Sequence, residues 1–259
     1  MSAFYVSRGD GRYDSTEWTR GPWSPDHQHA GPPSALVVRE LRRAGAIPDA
    51  HLARVTVEVL RPLPIAPVRV TARVARPGRR VELVDAALHG PDDEPLMLAR
   101  GWRLRREAMD LPEPDAGVPL PPPQAGDPRV EFPGKHDVGW HTATEIRFLT
   151  GAFDAPGPAT AWFRIRGELV EGEAPEPLDH LLSAADAGNG ISSILDFGRF
   201  TFANVDLSVH LRRPPRGEWM ALESATRLSA EGTGQAESVL HDAEGPIGRA
   251  LQTLLVASR

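Results

Sequence analysis

No cysteine occurs among the 259 residues. That absence excludes disulfides, thiolate catalysis and cysteine-ligated metals, and it fits a cytoplasmic chain. No window approaches the ~18 consecutive apolar residues of a membrane span. The opening MSAFYVSRGDGRYD carries no charged-then-apolar signal pattern. Net positive charge is missing too. Lys+Arg number 29 against 35 Asp+Glu, giving −6 and a pI near 5.9, so no nucleic-acid surface is expected. There is no Gly-rich phosphate loop and no Gly-x-Ser-x-Gly elbow. His27 and His29 stand without a His-Glu-x-x-His pattern, so neither metal nor cofactor is expected.

What is present is a globular composition, 41% hydrophobic and 25% charged, and a repeat. VTVEVLRPLPIAPVRVTARV begins at Val55, and VDLSVHLRRPPRGEWMALESATRL begins at Val205. Both run as a β-patterned stretch into an Arg-Pro step, Arg61-Pro62 and Arg213-Pro214. Both close on another β-like run, from Pro95 and from Pro246. Arg61 and Arg213 lie 152 apart, Pro95 and Pro246 151 apart. A unit this long is a duplicated domain, not a solenoid repeat.

Each half predicts one helix. Pro32 and Pro33 open the first, Leu36, Val37, Leu41 and Ala44 form its apolar stripe, and Gly45 suits its C′ position. Pro177 opens the second, Leu178, Leu181, Leu182 and Ala185 form the stripe, and Gly188 and Gly190 close it. Alternation such as Val68, Val70, Ala72 and Val74 predicts about four antiparallel strands after each helix. The Pro- and Gly-rich stretch 107–139 reads as a linker, with Pro121, Pro122 and Pro123 favouring extended geometry. The expected units are therefore residues 1–106, a linker over 107–139, and residues 140–259.

HAGPPSALVVREL (His29 to Leu41), LLSAADAGNGIS (Leu181 to Ser192), Asn204 to Thr226 and Asp242 to Arg259 resemble the acyl-CoA thioesterase family that includes bacterial thioesterase II. The resemblance implies an α+β double hotdog, two tandem antiparallel sheets each wrapped around one central helix. It implies hydrolysis of an acyl-CoA thioester to a free acid and coenzyme A. In that family an Asp sits near the end of the C-terminal helix. A Thr, Ser or Asn sits two residues before the Asp of the next strand, and a Gln sits on the last strand. The matching positions here are Asp186, Asn204 and Gln252. Asn204 departs from the hydroxyl residue of thioesterase II, but its amide can still orient a water or a carbonyl.

Read alone, Asp186 sits at the edge of the helix stripe, where it either serves a site or bonds amides near Gly188 and Gly190 and ends the helix. The repeat sets Gln252 against Gly101 and Asn204 against Leu52, so the first half lacks both polar partners. Gly31 and His29, at the start of the first helix, are candidate substrate-binding residues, the helix N–H groups stabilising an oxyanion. Arg212, Arg213 and Arg216 form a basic cluster that could meet coenzyme A phosphates. An apolar tunnel would hold the acyl chain. Open sheet edges invite pairing into a homodimer. Two alternatives stand beside hydrolysis. One is a hotdog hydratase or dehydratase, although Asp186-Ala-Gly-Asn is not followed by the Pro-x-His of that class. The other is a non-catalytic acyl-CoA or lipid-binding module.

Overall fold

Apolar-polar alternation turns most of the chain into strand, and the two apolar stripes become its main helices. The structure, a computed structural model, describes residues 3–110, 117–128, 132–133 and 136–259. Strands β1 (Ala3–Gly9) and β2 (Arg12–Ser15) precede α1 (Gly31–Ala44). Then come β3 (Ala50–Val59), β4 (Pro67–Arg76), β5 (Val81–His89) and β6 (Pro95–Arg105). The second half begins with α2 (Trp140–Ala143), β7 (Thr144–Ala152), β8 (Ala155–Ile165) and β9 (Glu168–Val170). It continues with α3 (Pro177–Ala185), α4 (Gly188–Ile191), β10 (Phe200–Asn204) and β11 (Asp206–Leu211). It ends with β12 (Met220–Leu228), β13 (Thr233–Asp242) and β14 (Gly245–Ser258).

Strands from both halves share one hydrogen-bonded sheet, in the order β7-β8-β12-β13-β14-β11-β3-β6-β5-β4-β2-β1-β9, with β10 also on β14. The halves join through β11 and β3, where Ser208 lies opposite Thr56 and their hydroxyls are 3.0 Å apart. Those two residues are 152 apart, the spacing of the two Arg-Pro steps. Val55 faces Val209, and Val57 faces Leu207. The pairing is thus symmetric about Thr56 and Ser208, as a pseudo-two-fold axis between them requires. Pairing is antiparallel throughout except that β9 runs parallel to β1 at the far edge of the first half. An all-antiparallel arrangement was expected. The short β9 leaves its own half and satisfies its backbone groups on β1 instead.

Both expected helices form. Pro32 and Pro33 occupy the first turn of α1, where their missing N–H groups cost nothing, and Arg42 and Arg43 sit in its last turn, favourable for the helix dipole. Helix α1 packs on β4, β5 and β6 and against α3. Gly45 does not take the left-handed cap conformation; its φ is −68°. It is glycine for space, because a Cβ there would overlap the Arg103 guanidinium. Gly188 and Gly190 do not stop the second helix either. They lie inside α4, and a Cβ on Gly188 would meet the Ser238 hydroxyl at 2.8 Å and the Gln252 carbonyl oxygen at 3.0 Å.

Part of the expected linker is packed. Pro122 is extended, but residues 123–125 form a 3-10 turn with Pro123 buried. Trp162 Nε1 donates to the Pro121 carbonyl at 2.9 Å, and Asp127 and Phe148 exchange backbone hydrogen bonds. Residues 111–116, 129–131 and 134–135 of that stretch lie outside the described residues. Among the described residues no helix is long and apolar enough to cross a membrane.

The core holds histidines that burial keeps neutral. His180 is pushed down to about 4 from the usual 6.5, and its Nδ1 accepts the Ile165 N–H at 3.1 Å. Burial lowers His29, His51, His141 and His241 in the same direction. The unfolded chain binds a proton at His180 near pH 6.5, whereas the folded chain does so only near pH 4. This contribution is therefore complete above about pH 6.5 and lost on acidification, amounting to about 3 kcal/mol by about pH 4. Urea midpoints are expected to fall from pH 7 to pH 4.5, and His180→Asn, which keeps an acceptor, is expected to flatten that fall. Equal slopes in variant and wild type would show that His180 does not carry it.

Candidate active site

The site forms where α1 begins and α3 ends. The loop before α1 is pinned on both sides. His29 N–H donates to Thr19 O at 2.7 Å, and Gln28 N–H to Leu63 O at 2.7 Å. The Gln28 side chain accepts from Tyr5 OH and donates to Pro64 O, both at 2.7 Å. At Gly31 the chain passes so near α3 that a Cβ would come within 2.3 Å of Ser183 O. Only glycine lets the two helices meet there. Asp186 caps the C-terminus of α3 and is 5% exposed.

Its carboxylate does not turn to the α4 amides. Asn204 Nδ2 donates to Asp186 Oδ1 at 2.9 Å, and His29 Nδ1 lies 3.1 Å from Asp186 Oδ2. The structure thus brings three of the expected residues together: Asp186, Asn204 and His29. Gln252 is buried in β14 and reaches the backbone of the same turn. Its Nε2 donates to the Asp186 carbonyl, and its Oε1 accepts the Asn189 N–H, both at 3.0 Å. It therefore ties Asp186 to the start of α4 through main-chain bonds rather than meeting Asn204. Gly31 presents its N–H to His29 Nδ1 at 3.1 Å.

Three of these residues, His29, Asp186 and Asn204, line a cavity of about 440 Å³ whose other walls include Trp23, Leu60, Leu63, Phe153, Phe202 and Leu255. A buried carboxylate beside an amide and an imidazole, facing apolar walls, suits proton transfer next to a hydrophobic ligand. Burial lowers the pKa of His29, Asp186 opposes that by raising it, and nearby His141 lowers it further. The ring is therefore neutral near pH 7. One ring nitrogen cannot both accept from Gly31 and donate to Asp186. When Nδ1 carries the proton and faces Asp186, the Gly31 N–H is released.

Two residues at this site escape sequence reasoning. Trp140, from α2, stacks on His29 with ring centroids 4.0 Å apart and 7° between planes, and its Nε1 donates to Ser183 Oγ at 3.0 Å. Nothing in its neighbours distinguishes it from the other five tryptophans. Asn189 lines the cavity three residues after Asp186, a helical spacing that signals a shared face. The basic cluster does not reach the cavity. Arg212 donates to Pro246 O, Arg213 binds Asp242, and Arg216 binds Glu244.

A family model described as the acyl-CoA thioesterase C-terminal domain matches residues 114–256, and one described as the N-terminal domain matches residues 19–104. The chain belongs to the acyl-CoA thioesterase family. Thioester hydrolysis is the general activity of this thioesterase. No curated protein sequence matches it. A structure assigned as a thioesterase II from Thermobifida fusca matches with a TM-score of 0.76 at 20% identity, over 98% of this chain and 95% of that one. A hotdog-fold protein from Alicyclobacillus acidocaldarius matches at 0.73 and 14% identity, over 99% and 96%. An acyl-CoA thioesterase II from Mycobacterium marinum matches at 0.65 and 13% identity, over 98% and 95%. At these identities the likeness speaks for the fold: the thioesterase has an α+β, hotdog-type architecture.

Proposed function

We propose that the thioesterase hydrolyses an acyl-CoA with Asp186 as the base that activates water. The water oxygen attacks the thioester carbonyl carbon, and its proton passes to the Asp186 carboxylate. The tetrahedral oxyanion is held by the Gly31 N–H, freed when His29 Nδ1–H turns to Asp186. The C–S bond then breaks, the coenzyme A thiolate takes the proton back from Asp186, and the free acid remains. Asn204 uses its Nδ2 to hold Asp186, while its Oδ1, which accepts from no group among the described residues, takes a water hydrogen. Gln252 fixes the Asp186 peptide from behind. The observation that carries this reading is a buried carboxylate opening on an apolar cavity, with Asn204 Nδ2 donating to one of its oxygens and His29 Nδ1 lying 3.1 Å from the other.

The same reading takes residues 1–106 and 140–259 as two hotdog subdomains of a double hotdog, joined by 107–139, with the polar site seated in the second. It takes the protein as a cytoplasmic enzyme that pairs through sheet edges into a homodimer. The experiment is release of free thiol from a panel of acyl-CoAs. Wild type is expected to turn over at least one chain length, and Asn204→Ala to lower kcat by roughly 10- to 100-fold with little change in KM. Calorimetric binding of acyl-CoA without thiol release would instead make this a binding module.

A further inference from the structure

The two Arg-Pro steps have diverged. The β5–β6 hairpin pairs His89 with Pro95 after a register shift between Leu88 and His89. The β13–β14 hairpin pairs His241 with Pro246 after the same shift between Leu240 and His241. The next residues, Gly90 and Asp242, are therefore equivalent. Asp242 is fully buried and closed in on itself. Arg213 gives its carboxylate two hydrogen bonds, at 2.5 and 2.6 Å, and the N–H groups of Arg216 and Glu244 add two more at 3.0 and 2.9 Å. Arg213 is thereby committed to holding a turn.

Arg61 has no such partner, because Gly90 carries no side chain. It makes one ion pair, Nε to Glu94 at 3.2 Å, with side chains 59% and 44% exposed. Such a pair is screened and worth little, so a stronger anion can displace it. Arg61 also lines the cavity that holds Asp186, and it is the only Arg or Lys among the described residues that do. The exposed part of the same lining is otherwise apolar: Trp23, Leu60, Val205 and Leu255. On this net-negative protein its guanidinium is a planar fork suited to phosphate oxygens, while the nearby Arg259 guanidinium is stacked over the Trp23 and Phe197 rings.

Resting on the thioesterase reading, we propose that Arg61 binds the phosphate groups of the coenzyme A arm as it leaves the cavity, whereas its duplicate Arg213 is structural. With the acyl group at Asp186, the arm passes the apolar collar and its phosphates reach the guanidinium, displacing Glu94. The duplication thus supplies one arginine for the fold and one for the substrate.

The test compares KM for an acyl-CoA with KM for the same acyl group on N-acetylcysteamine, which has no phosphate. Arg61→Ala is expected to raise the ratio of the two roughly fivefold, and Arg61→Glu roughly tenfold or more, with Arg61→Lys restoring part of it and added salt narrowing the gap. Arg213→Ala is expected to lower the melting temperature and leave the ratio at its wild-type value. An unchanged ratio in Arg61→Glu, or equal rises in both KM values, overturns the proposal. If wild type releases no thiol from either substrate, the hydrolysis reading fails instead. The Kd of coenzyme A against that of pantetheine then decides the role of Arg61 by the same comparison.

Discussion

Asp186→Asn is expected to lower kcat by roughly 10²- to 10⁴-fold while leaving the melting temperature within a few degrees of wild type. The substitution is isosteric. An asparagine oxygen still accepts the Asn204 Nδ2–H, and its amide can donate to the neutral His29 Nδ1, so both side-chain contacts of Asp186 persist. The peptide bonds made by Gln252 involve the backbone of residue 186 and do not change. What disappears is the ability to take a proton from water. The acceptor that draws the His29 Nδ1–H away from Gly31 goes with it, so loss of rate with an intact fold places the chemistry on the Asp186 carboxylate, as proton acceptor and as the group that frees the Gly31 N–H. Thiol release by the variant at the wild-type rate would sink Asp186 as the base. A fall in melting temperature of ten degrees would mean that its negative charge holds the α1–α3 junction together.

The candidates Asp186, Asn204 and Gln252 come from the family resemblance, and periodic structure adds where in the fold each of them sits. The stripe Leu178, Leu182 and its continuation to Asp186 is helical spacing, and the structure sets Asp186 at the end of that helix. The repeat offsets survive as strand register. Thr56 faces Arg100 in the first half, and Ser208 faces Leu251 in the second, so the matches of Gln252 with Gly101 and of Asn204 with Leu52 are positional facts. Gly101 shows what stands in the first half at the position of Gln252. A Cβ there would come within 2.9 Å of Leu52 and 3.0 Å of Leu41, so that space is filled by leucines rather than by an amide.

The illegible part lies in close approach and in pairing across the fold. Gly45 and Gly188 read as helix punctuation, and both are instead clearances for Arg103 and for the Gln252 and Ser238 side chains. His29 reads as a residue before a helix; that its ring nitrogen faces Asp186, 157 positions later, is a matter of how α1 and α3 pack. The two Arg-Pro steps read alike because their difference is set by Gly90 and Asp242, remote in sequence from each arginine. Periodicity reports which face a residue occupies, not what another element brings to that face.

Trp140→Ala is expected to cost about 3–5 kcal/mol of stability, a fall in melting temperature on the order of 10 °C for a chain this size. The indole is fully buried, so its removal leaves a void and strips the Ser183 hydroxyl of its donor. The effect should also reach the chemistry. Trp140 covers one face of the His29 ring, and burial is the largest cause of that histidine's lowered pKa. With the indole gone, water reaches the ring and its pKa rises. The acid limb of kcat/KM, where a positively charged His29 holds the Asp186 carboxylate in an ion pair and competes with the water proton for it, then moves to higher pH. Trp140→Phe keeps a flat face against His29 and loses only volume and the Ser183 bond. It is expected to cost about 1–2 kcal/mol and to leave the acid limb near its wild-type place. Melting curves and pH–rate profiles of the two variants separate packing from positioning. An acid limb unmoved in Trp140→Ala would show that the stacked indole supports the fold without tuning His29.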